Sequence, residues 1–215
     1  RLDSTLAVLN GLVGDYLART GNALATPMEC LAREGALKSK RAVVLIHGLM
    51  GTDATWAFAN GEDYGSMLAR DLGYAPRYLR YNTGLTISEN GSALSRTLDA
   101  LVAGWSGKLE ENLMLGHSMG VLVARASCHV ACTTKSQWLP RVHRAIYVGT
   151  PHRGVPMERV GRVVAKVLQA VDDPTTRLIA EIANLRSDGI KHLGDADLRH
   201  EDRARRFASI KLRDA

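Results

Sequence analysis

Leu113-Met114-Leu115-Gly116-His117-Ser118-Met119-Gly120 is the stretch on which the reading of this chain turns. An apolar run ends in Gly-x-Ser-x-Gly. A serine hydroxyl is a poor nucleophile at neutral pH, and it becomes useful when a base takes its proton and backbone N–H groups hold the oxyanion that forms. A sharp strand-to-helix turn can present it, provided the residues two positions to either side are small, and Gly116 and Gly120 are. The five-residue pattern alone arises by chance in about one chain in fifteen of this length, so its neighbours carry the decision.

Working outward, the sequence alternates strand-like and helix-like segments. Residues 42–47, Ala-Val-Val-Leu-Ile-His, form a continuous apolar run, rich in β-branched residues, of the kind buried on both faces of a parallel sheet. Further strands are expected over residues 77–81, 112–117 and 142–148. Helices are expected over 2–17, from Pro27 to 37, over 64–72, over 88–105 and over 119–131, with two more over 155–171 and 174–193. This is the pattern of an α/β domain with a mostly parallel sheet flanked by helices. The 215 residues read as a single domain, residues 1–215, with neither repeats nor a low-complexity linker.

Composition narrows the function classes. Hydrophobic residues make up 46% and charged residues 23%, ordinary for a soluble globular protein. The net charge of +6 comes from dispersed basic residues, without the aromatic interleaving that stacks bases, so nucleic acid is not an expected partner. Cys30, Cys128 and Cys132 are too few for a disulfide scaffold. Cys128 and Cys132 lie one helical turn apart beside His129, but no second ligand pair follows, so they read as free thiols; neither metal nor cofactor is expected. No apolar stretch reaches the length of a membrane span. The sequence fixes no compartment, the cytoplasm being the mild preference, and contact with a membrane surface stays open.

Chemistry in parallel α/β sheets sits at the carboxyl ends of the strands. Three glycine-bearing turns fall there: 47–51, 116–120 and 149–154. The turn His47-Gly48-Leu49-Met50-Gly51 can aim the Leu49 N–H at an oxyanion, and the Met119 N–H, next after the serine, supplies the second donor. His47 and His117 read as packed strand-end histidines. His152 stands at the correct sheet edge, yet a structural turn histidine is the preferred reading of it.

These pieces together resemble the α/β-hydrolase superfamily, in particular its lipase and esterase branch. The matching segments are Val44-Leu45-Ile46-His47-Gly48-Leu49-Met50-Gly51, Gly116-His117-Ser118-Met119-Gly120 and Gly149-Thr150-Pro151-His152-Arg153-Gly154. Leu79-Arg80-Tyr81-Asn82-Thr83-Gly84 and Ile87-Ser88-Glu89-Asn90-Gly91 look like bacterial hydrolases related to GPI inositol-deacylases and triacylglycerol lipases. The resemblance covers residues 42–155. It implies Ser118 as nucleophile, Leu49 and Met119 as the oxyanion hole, a small-molecule or lipid ester as substrate, and a helical lid over 155–193, for which plain sheet cover is the equal alternative.

The family pattern then breaks. Serine should be followed by an acid and then a histidine, each after a further core strand. Residues 195–215 are charged, residues 207–212 make a poor buried strand, and Asp214 has no histidine after it. Asp188 with His192, and Asp195 with His200, have the right order but lie in or beside an expected helix. The expectation is a hydrolase-fold portion lacking its C-terminal strands. The alternatives are an unusual base among His152, His192 and His200, a catalytically silent binding domain, or an acyltransferase on the same fold.

Overall fold

The computed structural model describes residues 2–33 and 39–149. Eleven elements follow one another: α1 (Leu2–Arg19), β1 (Glu29–Leu31), β2 (Arg41–Ile46), a 3-10 turn (Asp53–Trp56), α2 (Tyr64–Leu72), β3 (Ala75–Arg80), α3 (Ile87–Ala103), β4 (Glu111–His117), α4 (Met119–Thr134), a second 3-10 turn (Leu139–Arg141) and β5 (Val142–Val148). The five strands form one sheet in the order β1-β3-β2-β4-β5. The β2–β3, β2–β4 and β4–β5 ladders are parallel, and β1 runs antiparallel to β3.

The apolar run of β2 lands in the middle of this sheet, and Ala42 through Ile46 are fully buried. Alternation along the strands splits the core into two layers. Val44, Ile46, Leu79 and Met114 face α3 and α4, where Leu94, Leu98 and Val123 meet them together with Trp138 from the segment after α4. Val43, Leu45, Tyr78, Leu113 and Leu115 face the other way, onto Trp56, Tyr74 and Leu68. Each such buried side chain contributes about 2 kcal/mol relative to exposure. The helices on the first layer pack closely: a Cβ at Gly91 would lie 2.5 Å from the Ala126 Cβ.

Helix starts follow local chemistry. Thr86 and Glu89 close a capping box at α3, two residues earlier than the sequence spacing suggests, and Asp63 and Ser66 close another at α2. One expectation fails. The helix from Pro27 to 37 is replaced, over its described part, by the short strand β1; residues 34–38 lie outside the described residues. Met28 packs on the α3/α4 core layer and Cys30 is half-buried. That spacing of two buries one side of a strand, and pairing Cys30 with Leu79 supplies the segment with backbone partners at the open edge of β3. Burial in turn pushes the Cys30 thiol up to about 11, against a smaller lowering by Arg77. The expected helices over 155–171 and 174–193, the lid reading and everything from Thr150 onward also lie outside the described residues.

Register decides where the site falls. Ile46 pairs with Gly116 and also with Leu79, and His117 pairs with Val148. The segments leaving β2, β3, β4 and β5 therefore emerge abreast at one edge of the sheet.

Candidate active site

Ser118 occupies the single residue between β4 and α4, at φ 53°, ψ −121°. This is outside even the small left-handed well that ordinary residues visit, and such conformations cost about 1–3 kcal/mol. Three contacts hold it there. The Ser118 N–H donates to the Val148 carbonyl at 2.8 Å. A Cβ at Gly120 would lie 2.3 Å from the Ile46 carbonyl oxygen and 2.4 Å from that of His47. A Cβ at Gly116 would lie 2.8 Å from Val121 Cγ2. Both glycines of the motif are thus required by the approach of α4 to the ends of β2 and β4. Ser118 is also the N-cap residue of α4, a position where serine ordinarily spends its oxygen on a backbone N–H, yet its side chain makes no capping bond. The hydroxyl is left for something else.

The neighbouring turn, 48–51, closes with a Gly51 N–H to Gly48 carbonyl bond of 3.1 Å. Met50, its third residue, has φ 57°, the positive value that a type II turn demands and that glycine usually supplies. The structure brings this turn against the serine: a Cβ at Gly48 would lie 3.0 Å from the Ser118 Cβ and 3.3 Å from the His117 Nδ1. The Met50 N–H is consumed by the Thr83 Oγ1 at 3.1 Å. Among the described residues nothing accepts from the N–H of Leu49 or of Met119; both residues are buried, Met119 directly after Ser118 and Leu49 directly after Gly48, the turn residue that the serine approaches. Met119 opens α4, so the positive end of that helix dipole lies at the same place.

The two strand-end histidines behave as packed groups. His47 is fully buried, stacked on Tyr81 at 4.5 Å between ring centroids, with its Nδ1 2.9 Å from the Gly48 carbonyl. Burial lowers its pKa to about 4, so the ring is neutral at ordinary pH. The Tyr81 hydroxyl donates to the His47 carbonyl at 2.7 Å, locking the backbone of the same residue. His117 is half-buried and its pKa is also lowered by burial. Among the described residues no imidazole hydrogen-bonds to Ser118. His152, His192 and His200, with Asp188, Asp195 and Asp214, lie outside them. Cys128 and Cys132 are free thiols, and no His, Cys, Asp or Glu cluster among the described residues could hold a metal. The groove of about 670 Å³ lined by Arg96, Asp99 and Lys135 lies at the far end of α4, away from the serine.

Four parallel strands with a short antiparallel edge strand, helices on both faces, and a strained serine turn leading into a helix are the features that the chain brings to a comparison with solved structures. A Bacillus licheniformis lipase in its mature form, BlEst2, is similar with a TM-score of 0.50 and 19% identity, over 80% of this chain and 62% of that one. The chain has the α/β-hydrolase fold. It spans 62% of the length of that lipase. A type II thioesterase of the yersiniabactin pathway aligns at a TM-score of 0.46 and 16% identity, over 79% of this chain and 69% of its own. An esterase of Pyrococcus furiosus aligns at 0.43 and 13%, over 74% and 61%. The sequence matches no family model and no curated protein at a significant level.

Within this hydrolase fold, sequence spacing alone missed the apparatus around residues 82–84. Asn82 donates from Nδ2 to the Gly14 carbonyl at 2.8 Å and accepts at Oδ1 from the Gly84 N–H at 2.9 Å. Asn90 donates to the Asn82 carbonyl at 2.9 Å. The segment was marked by resemblance, through Leu79-Arg80-Tyr81-Asn82-Thr83-Gly84 and Ile87-Ser88-Glu89-Asn90-Gly91, but no periodicity pointed to its work. Buried side-chain amides that bond backbone are invisible to hydrophobic patterning.

Proposed function

We propose that this protein is a serine hydrolase of carboxylic esters, lipid esters among them, working through an acyl-enzyme on Ser118. One observation carries the reading: a serine held in a strained backbone at the β4–α4 junction, at the N-cap of a helix it does not cap. The α/β-hydrolase fold that this chain has in common with a lipase supports it.

In the proposed reaction the Ser118 Oγ attacks the ester carbonyl carbon while its proton passes to a base. The carbonyl oxygen becomes an oxyanion that accepts from the N–H groups of Leu49 and Met119, donors worth about 3–4 kcal/mol each in the transition state. Collapse breaks the bond to the alcohol oxygen, which leaves with the proton. Water then attacks the acyl-serine, gives its proton to the same base, and releases the acid and free Ser118. The turn 116–120 would be the nucleophile elbow of this scheme. His47, neutral and used by Gly48 and Tyr81, would hold the oxyanion turn in shape and is not free to act as the base. Hydrolysis of a short p-nitrophenyl ester by the full chain, abolished in Ser118→Ala, is the expected outcome. Equal turnover by the Ser118→Ala protein would overturn the reading.

A further inference from the structure

The turn that offers the Leu49 N–H is not stable by its own sequence. A methionine stands where a type II turn wants glycine, and nothing within residues 48–51 compensates beyond the closing Gly51–Gly48 bond. The compensation comes from two distant segments. Thr83, buried and just past β3, accepts the Met50 N–H at 3.1 Å. From the other side α1 presses on the Met50 side chain: a Cβ at Gly11 would lie 2.3 Å from the Met50 Cγ and 3.3 Å from the Thr83 Oγ1. The same helix is tied to the Thr83 segment through Asn82 and the Gly14 carbonyl, and a Cβ at Gly84 would lie 2.1 Å from the Asn10 carbonyl.

We infer that Thr83 is a positioning residue for ester hydrolysis: its hydroxyl latches the central peptide of the 48–51 turn, keeping the Leu49 N–H aimed at the oxyanion, with α1 as the wall behind the latch. The inference rests on the proposed ester-hydrolase reading. Without the acceptor, the Met50 N–H is a buried donor with no partner, and the Leu49–Met50 peptide is free to flip and abolish the positive φ. The Leu49 N–H then moves with the turn. The loss falls on the transition state, where the oxyanion exists, and barely on ground-state binding.

The test compares Thr83→Val, which keeps the shape and removes the acceptor, with Thr83→Ser, which restores it. The full chain is assayed on a p-nitrophenyl ester well below every variant's Tm, and amide hydrogen exchange is read at Met50. Expected is a fall in kcat of about 10- to 100-fold for Thr83→Val with KM within about twofold, recovery to within about threefold in Thr83→Ser, and faster Met50 exchange in Thr83→Val alone. A Thr83→Val enzyme with wild-type kcat, or a loss that Thr83→Ser shares in full, overturns the inference while the ester-hydrolase reading stands. A folded wild type that turns over no ester and takes no serine-directed probe at Ser118 overturns that reading, and the inference with it.

Discussion

The two turns of the site reach the same end, a non-glycine residue held at positive φ, by opposite means. At Ser118 the constraint is backbone against backbone: the carbonyls of Ile46, His47 and Val148 press on Gly120 or accept the serine N–H, and all belong to neighbouring strand ends. At Met50 the constraint comes from remote segments through side chains: the Thr83 hydroxyl accepts the Met50 N–H, and the Met50 side chain itself lies against α1 at Gly11. The difference teaches where each can be altered. A turn held by main chain tolerates no added atom, whereas one held by side chains can be loosened by degrees.

The largest contrast is chemical. Ser118→Ala should cost at least about 10⁴-fold in turnover of a p-nitrophenyl ester, since on the proposed mechanism removing the nucleophile would leave only what binding and the oxyanion donors supply. The next breaks the comparison structurally. Gly120→Ala drives a Cβ into two main-chain carbonyls and should lower stability by about 3 kcal/mol, a fall in Tm of about 10 °C. Gly11→Ala meets side-chain atoms only, those of Met50 and the Thr83 hydroxyl, and gains helix propensity, so its melting temperature should fall by no more than a few degrees. Equal losses in the two variants, read by thermal unfolding, would erase the distinction.

His47 sharpens the comparison because it joins the two turns at the end of β2. Its folded pKa of about 4 lies below the ordinary histidine value of 6.5, through burial chiefly, with Arg80 and His117 adding to the lowering and the Gly48 bond and Asp53 opposing it. Above pH 6.5 both folded and unfolded states carry a neutral ring, and the group is silent. Between pH 6.5 and 4 the unfolded state takes the proton and the folded state does not, so stability falls with pH, by about 3 kcal/mol in all, then levels off below 4. Urea unfolding from pH 7 to 4 should show the decline, and the His47 imidazole resonances should stay at their neutral positions down to about pH 5.

The smallest effect concerns the third residue at positive φ. Lys135 ends α4 at φ 55° on the surface, with no turn to build. Lys135→Gly should raise stability by about 0.5–1 kcal/mol, seen as a Tm increase of a few degrees with unchanged turnover. Strain at a helix cap is removable; in the proposed function, strain at the two site turns is part of how they would present their groups.

The same contrast explains what the sequence disclosed. The turn at 116–120 was legible because its constraints demand glycines at fixed offsets and a strand before it, all within eight residues. The parallel strands were legible from uninterrupted β-branched runs such as Val43-Val44-Leu45-Ile46, buried on both faces. Thr83 was not, since its partner Met50 lies 33 residues away and a lone buried hydroxyl has no pattern. Nor was β1: a three-residue edge strand exists only because β3 offers an unpaired edge, and proline followed by spaced apolar residues reads locally as a helix start.

The central claim, an activated nucleophile at Ser118, is tested most directly by intact mass spectrometry of the folded full chain after treatment with a fluorophosphonate probe. The account predicts one adduct per chain, mapped to Ser118 and absent from Ser118→Ala. A folded chain that gains no mass, or a Ser118→Ala protein that is labelled as readily as the wild type, would contradict it.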